Sequence, residues 1–228
     1  MTDQNLIAII EKLNNREQKN LIFLRPLTHE VDYAKVWENT PSKTDAIFSP
    51  DLPYSFYFIK NDLGNYVAAV LDMSHDLHWI VIPEFRSNGF LSKSLRETIL
   101  FHLFKDRDEQ KISIKPAEIG LDNAKASERL ALKVGFEKVN EFEYILKKDK
   151  YATGIKFEGL NREFDDIRID ELKKEINYIG RSLAVIQTEL EMNYGVSEYS
   201  EDLKDLLSEI RGHVWKFEDF CLDFRENK

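Results

Sequence analysis

The chain has 228 residues, 43% of them hydrophobic, and a net charge of −9, which suits one ordinary domain with a real core plus a smaller appendage. The acidic balance excludes a nucleic-acid surface, which needs clustered Lys and Arg, and is compatible with a cationic acceptor such as an amine. The single cysteine, Cys221, excludes an intrachain disulfide and fits a reducing compartment; with N-terminal residues too polar for a signal peptide or a membrane span, a cytoplasmic protein is expected.

In chain order, Leu6, Ile7, Ile10 and Leu13 give residues 3–18 one apolar stripe and predict an amphipathic helix. Residues 21–24 read as a strand ended by Arg25-Pro26. Thr28 is placed to cap a helix carrying Val31, Ala34, Val36 and Trp37. Residues 38–53 hold three prolines and read as loop. Residues 54–59 and 66–71 predict a hairpin around the turn 61–65. A second turn at 73–76 leads into His78-Trp79-Ile80-Val81-Ile82, a short β-branched run that predicts a buried strand. These three strands form an antiparallel meander. Pro83 ends the third, because it has no N–H for a ladder.

After the tight segment 86–91 comes a helix with Leu91, Leu95, Ile99 and His102/Leu103 on one face. Residues 111–114 predict a strand that returns beside the third by a right-handed crossover. Residues 123–134 predict a helix closed by Gly135, and 136–138 with 142–146 the last strands. A polar stretch with Gly154 and Gly159 then separates a domain over 1–150 from a second over 151–228.

In that second part, Ile169, Leu172, Ile176, Ile179, Leu183, Ile186 and Leu190 recur at spacings of three and four, a heptad seam. Asn193-Tyr194-Gly195 closes the helix. Leu203, Leu206, Ile210, His213, Phe217, Phe220 and Phe224 form a second seam. Two such helices joined by a short loop predict an antiparallel hairpin. Residues 155–228 hold 11 Lys/Arg against 18 Asp/Glu, so −7 of the net charge lies here. A lone hairpin buries too little apolar surface, so a homodimer through the seams, or packing on the first domain, is expected. Cys221 lies among apolar residues and reads as a packed thiol rather than a nucleophile.

Two stretches carry chemistry. The strand, the glycine-bearing turn Arg86-Ser87-Asn88-Gly89-Phe90-Leu91 and the helix start at Ser92 aim several backbone N–H groups at one spot. The first N–H groups of a helix lack internal partners and the dipole favours negative charge, so a phosphate or pyrophosphate is the natural guest. The turn is neither a Walker loop, since no Gly-Lys-Ser/Thr follows, nor a dinucleotide fingerprint, since the second and third glycines are missing. A plain strand-to-helix connection is the alternative. The second stretch is the helix that begins at Asn123, carries Ser127 and Leu130, and ends in Lys133-Val134-Gly135-Phe136.

Together the two stretches, Arg86-x-x-Gly89-x-Leu91 and the helix from Asn123 to Phe136, resemble the motifs of the GNAT superfamily of acyl-CoA-dependent N-acyltransferases, over roughly residues 21–148. The resemblance implies an α/β fold, a mixed α+β sheet with helices on both faces, followed here by the antiparallel helical hairpin. It implies acetyl-CoA as acyl donor, no metal, and a small-molecule or peptide amine as acceptor. Backbone groups of Ser87, Asn88, Gly89, Phe90, Leu91 and Ser92 then cradle the pyrophosphate, with Arg86 flanking and the strand residues Ile80, Val81 and Ile82 alongside. Leu91 departs from the family's small residue. Asn123 matches the residue that holds the pantetheine arm, an N-cap being the alternative, and Ser127 matches a small polar position.

The implied reaction is direct attack of a neutral amine on a thioester, which needs a base, an oxyanion donor and an acid for the thiolate. The family's acid, a helical tyrosine, is replaced by Ala131. Tyr144 on the last strand is the nearest substitute, with a plain core tyrosine as its alternative. His75 is the first candidate base and Glu84 the second, each with a surface role as the alternative. Trp37, Phe48 and Tyr54 are candidates to line the acceptor side, or core residues. His29, His102 and His213 show no metal spacing. Ala131 and Leu91 also motivate two other readings: a CoA-binding module without catalysis, and a scaffold that binds a partner through its hairpin.

Overall fold

The computed structural model describes residues 2–17, 21–47, 52–151 and 163–227. The chain divides into two units, Met1–Asn161 and Arg162–Lys228. Residues 152–162, where most of the polar boundary with Gly154 and Gly159 falls, lie outside the described residues, as does Phe48.

The first unit opens with α1 (Asp3–Asn14), capped by the Thr2 side chain. Five strands follow as one antiparallel meander: β1 (Ile22–Pro26), β2 (Val31–Val36), β3 (Tyr54–Lys60), β4 (Tyr66–Asp72) and β5 (Leu77–Val81), paired in that order. The expected helix after Thr28 is therefore strand β2. Its burial alternates rather than recurring every third or fourth residue, and it pairs with both β1 and β3. The Thr28 hydroxyl does accept the Val31 N–H, at 3.2 Å, but it closes a hairpin turn. Val31, Tyr33 and Val36 are β-branched or aromatic, and pairing with two neighbours overrides a lone cap signal.

The meander has a core on each face. On one side Leu6, Ile10 and Leu13 of α1 meet Ala34, Phe56, Phe58 and Ala69. The edge of this core holds a buried charge: Asp32 Oδ2 accepts from the Tyr66 hydroxyl at 2.5 Å and pairs with Lys60 Nζ at 2.8 Å. On the other side lies a continuous helical segment. It starts as α2 (Phe90–Ser94), widens to a π-helix over Leu95–Ile99, and ends as α3 (Leu100–Leu103). The wider turn rotates the helix, so Leu95, Ile99, Leu100 and Leu103 are all buried against the sheet. The same rotation brings His102 Nδ1 to 2.8 Å from the Tyr57 hydroxyl.

Next come β6 (Glu109–Ser113), α4 (Pro116–Ile119), α5 (Leu121–Val134), β7 (Glu137–Lys138) and β8 (Glu143–Lys147). Gly135 caps α5 in the left-handed conformation, φ +109°, as its position after the apolar pattern demands. Strand β6 does not enter the first sheet. It pairs with β8, in a separate three-stranded sheet ordered β6-β8-β7. The two sheets face each other through the β5 and β6 edges.

The second unit is a hairpin of two equal helices, α6 (Asp166–Tyr194) and α7 (Glu198–Glu226), 29 residues each. Gly195 ends the first and Ser197 caps the second. Contacts between Asp166 and Arg225, and between Lys173 and Glu218, run in opposite directions along the two helices, so they are antiparallel. The seam is offset from the expected one. Ile179 and Ile186 are 56% and 53% exposed, and Leu206 and Phe220 are 46% and 63% exposed. Ile169 and Leu203 of the expected seam are buried, joined by Gly180, Leu207 and Cys221, which lie outside it. Gly180 decides the register: a Cβ there would sit 3.3 Å from Ile210 Cγ2 and 3.5 Å from Leu207 Cδ1, so the helices approach closest where a side chain is missing. Among the described residues, no helix is long and apolar enough to cross a membrane.

His102 makes the first unit sensitive to acid. Burial, and next the charge of Lys105, hold its pKa below the ordinary 6.5. Unfolding restores the ordinary value, so between the lowered pKa and 6.5 the unfolded chain binds more protons. Stability is therefore expected to fall as pH drops below about 6.5. Urea midpoints measured from pH 7.5 to 5.5 should decline, and His102→Gln should flatten that slope; an unchanged slope would remove His102 as its source.

Candidate functional site

The site forms because two strand edges meet at one end only. Asp76 lies in the turn before β5. Its Oδ1 accepts the Leu77 N–H at 2.8 Å and the Ser113 N–H at 2.9 Å. One carboxylate oxygen thus ties the start of β5 to the end of β6. Beyond that tie no ladder joins them. On its other side β5 is paired to β4 by an antiparallel alternation that turns His78, Ile80 and Ile82 inward. The N–H groups of Trp79 and Val81 consequently point away from β4. Trp79 and Val81 are half-buried, and their free N–H groups take partners from water or a ligand.

The space beside this edge is a cleft of about 600 Å³, within the range of small-molecule sites. Its walls are β5, the residues Ile112–Ile114 on β6, and the face of α5 that carries Asn123, Ser127 and Leu130; its mouth is the turn from Phe85 to Ser92. Trp79 crosses it, donating its indole N–H to Ser127 Oγ at 3.3 Å.

The turn presents several backbone N–H groups together. Ser87 and Gly89 both have positive φ, +64° and +82°. Gly89 is the N-cap of α2 and offers no side-chain cap. Among the described residues, no acceptor takes the N–H groups of Ser87, Asn88 or Gly89. The first amides of α2 are unpaired by helix geometry. A Cβ at Gly89 would meet only Ser92 Oγ, at 3.9 Å, so glycine is there for its backbone conformation rather than for space. Leu91 does not plug the turn: it is 6% exposed and packs in the core with Leu95 and Ala124. Arg86 is anchored through Nε to Val81 O at 3.3 Å. With Arg129 and Lys133 it gives the cleft three cationic side chains.

Of the expected donor-binding residues, Ile80, Val81, Arg86, Ser87, Gly89, Phe90, Leu91, Ser92, Asn123 and Ser127 line this cleft. Asn88 lines a neighbouring groove of about 400 Å³ on the outer side of the turn, and Ile82 packs on the α1 side. Asn123 is not an N-cap, because Gly120 holds that position; its Nδ2 donates to Ile119 O at 3.0 Å.

The three expected catalytic side chains do not converge. His75 is exposed in the turn after Met73. Glu84 is exposed on the 3-10 turn Pro83–Phe85. Tyr144 is 2% exposed and donates to Glu128 Oε1, which Lys138 also pairs at 2.9 Å. Burial first, then that hydrogen bond, raises the Tyr144 pKa. Its hydroxyl is committed to a structural contact, the core alternative. Neither Trp37 nor Tyr54 lines the cleft.

His78 does line it, together with the carboxylates Asp3 and Asp122. Its Nε2 lies 2.9 Å from Asp3 Oδ1, on the first turn of α1. A carboxylate accepts only, so in the neutral ring this contact places the proton on Nε2 and makes Nδ1 the acceptor. The sequence placed His78 near the site, but Asp3 is 75 residues away in the chain, and no local pattern connects them. No protein-family model, curated protein or solved structure matches this chain.

The tie at Asp76 is testable by itself. Asp76→Ala removes the acceptor of two amides and is expected to cost about 1–3 kcal/mol. Hydrogen exchange at Leu77 and Ser113 should accelerate together, with Ala69 in the sheet centre unaffected. Exchange that stays slow at Ser113 would show that the carboxylate does not hold the sheets.

Proposed function

We propose that this protein is an acyl-CoA-dependent N-acyltransferase, with acetyl-CoA as donor and a primary amine as acceptor. The observation that carries the reading is the pairing of an unpaired strand edge with an anion-shaped turn along one cleft. Coenzyme A is built on the same plan. Its pantetheine arm is extended and carries two amides, which suit the outward N–H groups of Trp79 and Val81 and the Asn123 side chain. Its pyrophosphate suits the amides from Ser87 to Ser92, at the positive end of the α2 dipole. Arg86, Arg129 and Lys133 add favourable charge. The two motifs that resemble the GNAT superfamily form the mouth and one wall of this cleft.

In the reaction the amine nitrogen forms a bond to the thioester carbon, the C–S bond breaks, and the sulfur leaves as thiolate to be protonated. Most of the acceleration comes from holding two substrates in line. The amine must lose a proton, and Nδ1 of His78 is the acceptor the cleft offers, with Asp3 stabilising the imidazolium that forms. Among the described residues no tyrosine lines the cleft to serve as acid, and a thiolate tolerates that lack.

Calorimetry should show saturable, one-to-one binding of acetyl-CoA. Gly89→Val forces a branched side chain into φ +82° and should weaken binding by roughly tenfold or more. His78→Gln should leave binding near the wild-type value while lowering acetyl transfer to an amine panel by roughly 10²-fold or more. Binding without transfer to any amine would favour a CoA-binding module. Absence of saturable binding would contradict the proposal.

A further inference from the structure

The hairpin buries one seam and exposes a second. Taking the contacts around Gly180 as register, the buried seam runs through Lys173, Ile176, Gly180 and Leu183 of α6 and through Leu207, Ile210, Val214 and Phe217 of α7. The positions next to that seam on one side are Leu172, Ile179 and Ile186 of α6, and Tyr199, Leu206, His213 and Phe220 of α7. In an antiparallel pair these positions fall on the same side of the hairpin. They form layers, Leu172 with Phe220, Ile179 with His213 and Ile186 with Leu206, about 10 Å apart along the axis. Ile179, Ile186, Tyr199, Leu206 and Phe220 are between 46% and 63% exposed. In α7 three positions per heptad are mostly apolar, a stripe that belongs to a helix with more than one helical neighbour; in α6 the buried seam takes Lys173 and Gly180 and leaves the apolar Leu172, Ile179 and Ile186 beside it. Together these side chains expose on the order of 400–600 Å², as much as the largest patch on an ordinary monomer.

Charge defines what covers this face. The flanking positions beside the apolar stripe carry Glu175, Glu189, Asp202, Glu209 and Asp223, with Arg168 and Lys216 the exceptions. The opposite side of the hairpin carries Lys174, Arg181, Lys204 and Arg211 among its acids. The positive charge is thus turned away from the apolar groove and the negative charge frames it. A second copy would bring two acidic frames together, which costs affinity.

We propose that this groove docks one amphipathic α-helix of a partner protein, with apolar residues at heptad spacing and Lys or Arg on its flanks. Its apolar residues enter between the layers, completing a three-helix bundle, and its cations meet the acidic frame. This inference is independent of the cleft and of acyl transfer.

The probe is a fluorescein-labelled peptide of about four heptads, Leu at the two seam positions and Lys elsewhere; a Leu/Glu peptide of the same pattern is the control. With the full chain, the Leu/Lys peptide should bind saturably and the Leu/Glu peptide should not. The double variant Ile186→Gln, Phe220→Gln should bind the Leu/Lys peptide at least roughly tenfold more weakly, with helical circular dichroism unchanged. Equal binding by that variant would mean charge attraction alone and would overturn the proposal. So would no binding by a monomeric chain, which would leave the groove covered from within. A wild-type dimer by light scattering that becomes monomeric in the double variant would assign the groove to a second copy instead.

Discussion

One oxygen of Asp76 shared by two backbone amides, Leu77 and Ser113, is the constraint on which the first unit depends. If the two strands paired along their whole length, β6 would fill the edge of β5 and no cleft would exist. A shared core, with Leu77 packed in one cluster with Ile112 and Tyr144, and the Arg107 bridge between Asp72 and Gln110 hold the two sheets together. The tie at Asp76 fixes where the β5 and β6 edges meet and leaves them to diverge beyond it. The unpaired amides of β5, the wall supplied by α5 and the turn at the far end of β5 all take their positions from that divergence. It also sets the free backbone N–H groups of β5 in a cleft that carries charged side chains from the turn and α5, Arg86, Asp122, Arg129 and Lys133 among them.

Much of this was legible in the chain, because the signals are local. The strand, the proline stop, the glycine at a turn needing positive φ, and the helix after it all lie between Leu77 and Leu103, and each imposes its conformation within a few residues. The α5 helix with Gly135 at its end is of the same kind. What escaped depends on distance. Strand β2 follows a capping threonine, Thr28, and its apolar residues Val31, Ala34 and Val36 also fit a helix; only its two neighbours make it a strand. The pairing of His78 with Asp3 needs α1 laid against the sheet. Asp76 reads as a turn residue, and its bond to Ser113 cannot be inferred from either segment. Tyr144 could be placed on the last strand but not aimed, and the structure aims it at Glu128.

The hairpin shows a third kind of ambiguity. In α7 three positions per heptad carry mostly apolar side chains, so two seams, offset by one residue, satisfy the same spacing; in α6 the third position holds Lys173, Gly180 and Gln187. The residue that selects between them is Gly180, which has no hydrophobic side chain and contributes nothing to a periodicity count. It wins because close approach of the backbones buries Leu207 and Ile210 against α6. Choosing that seam leaves the other outward, where Ile179, Ile186 and Phe220 face solvent. The acidic frame around them sets this face apart from the mixed charges opposite.

The account stands or falls on the amides between Arg86 and Lys93. Titration of coenzyme A into ¹⁵N-labelled protein, followed by amide chemical shifts, reads those groups one by one. The account predicts large, saturable downfield shifts at Ser87 through Ser92, with Gly89 prominent and with Trp79 and Val81 moving in parallel. Shifts confined to surface residues elsewhere, with the turn and β5 unmoved at saturation, would contradict it.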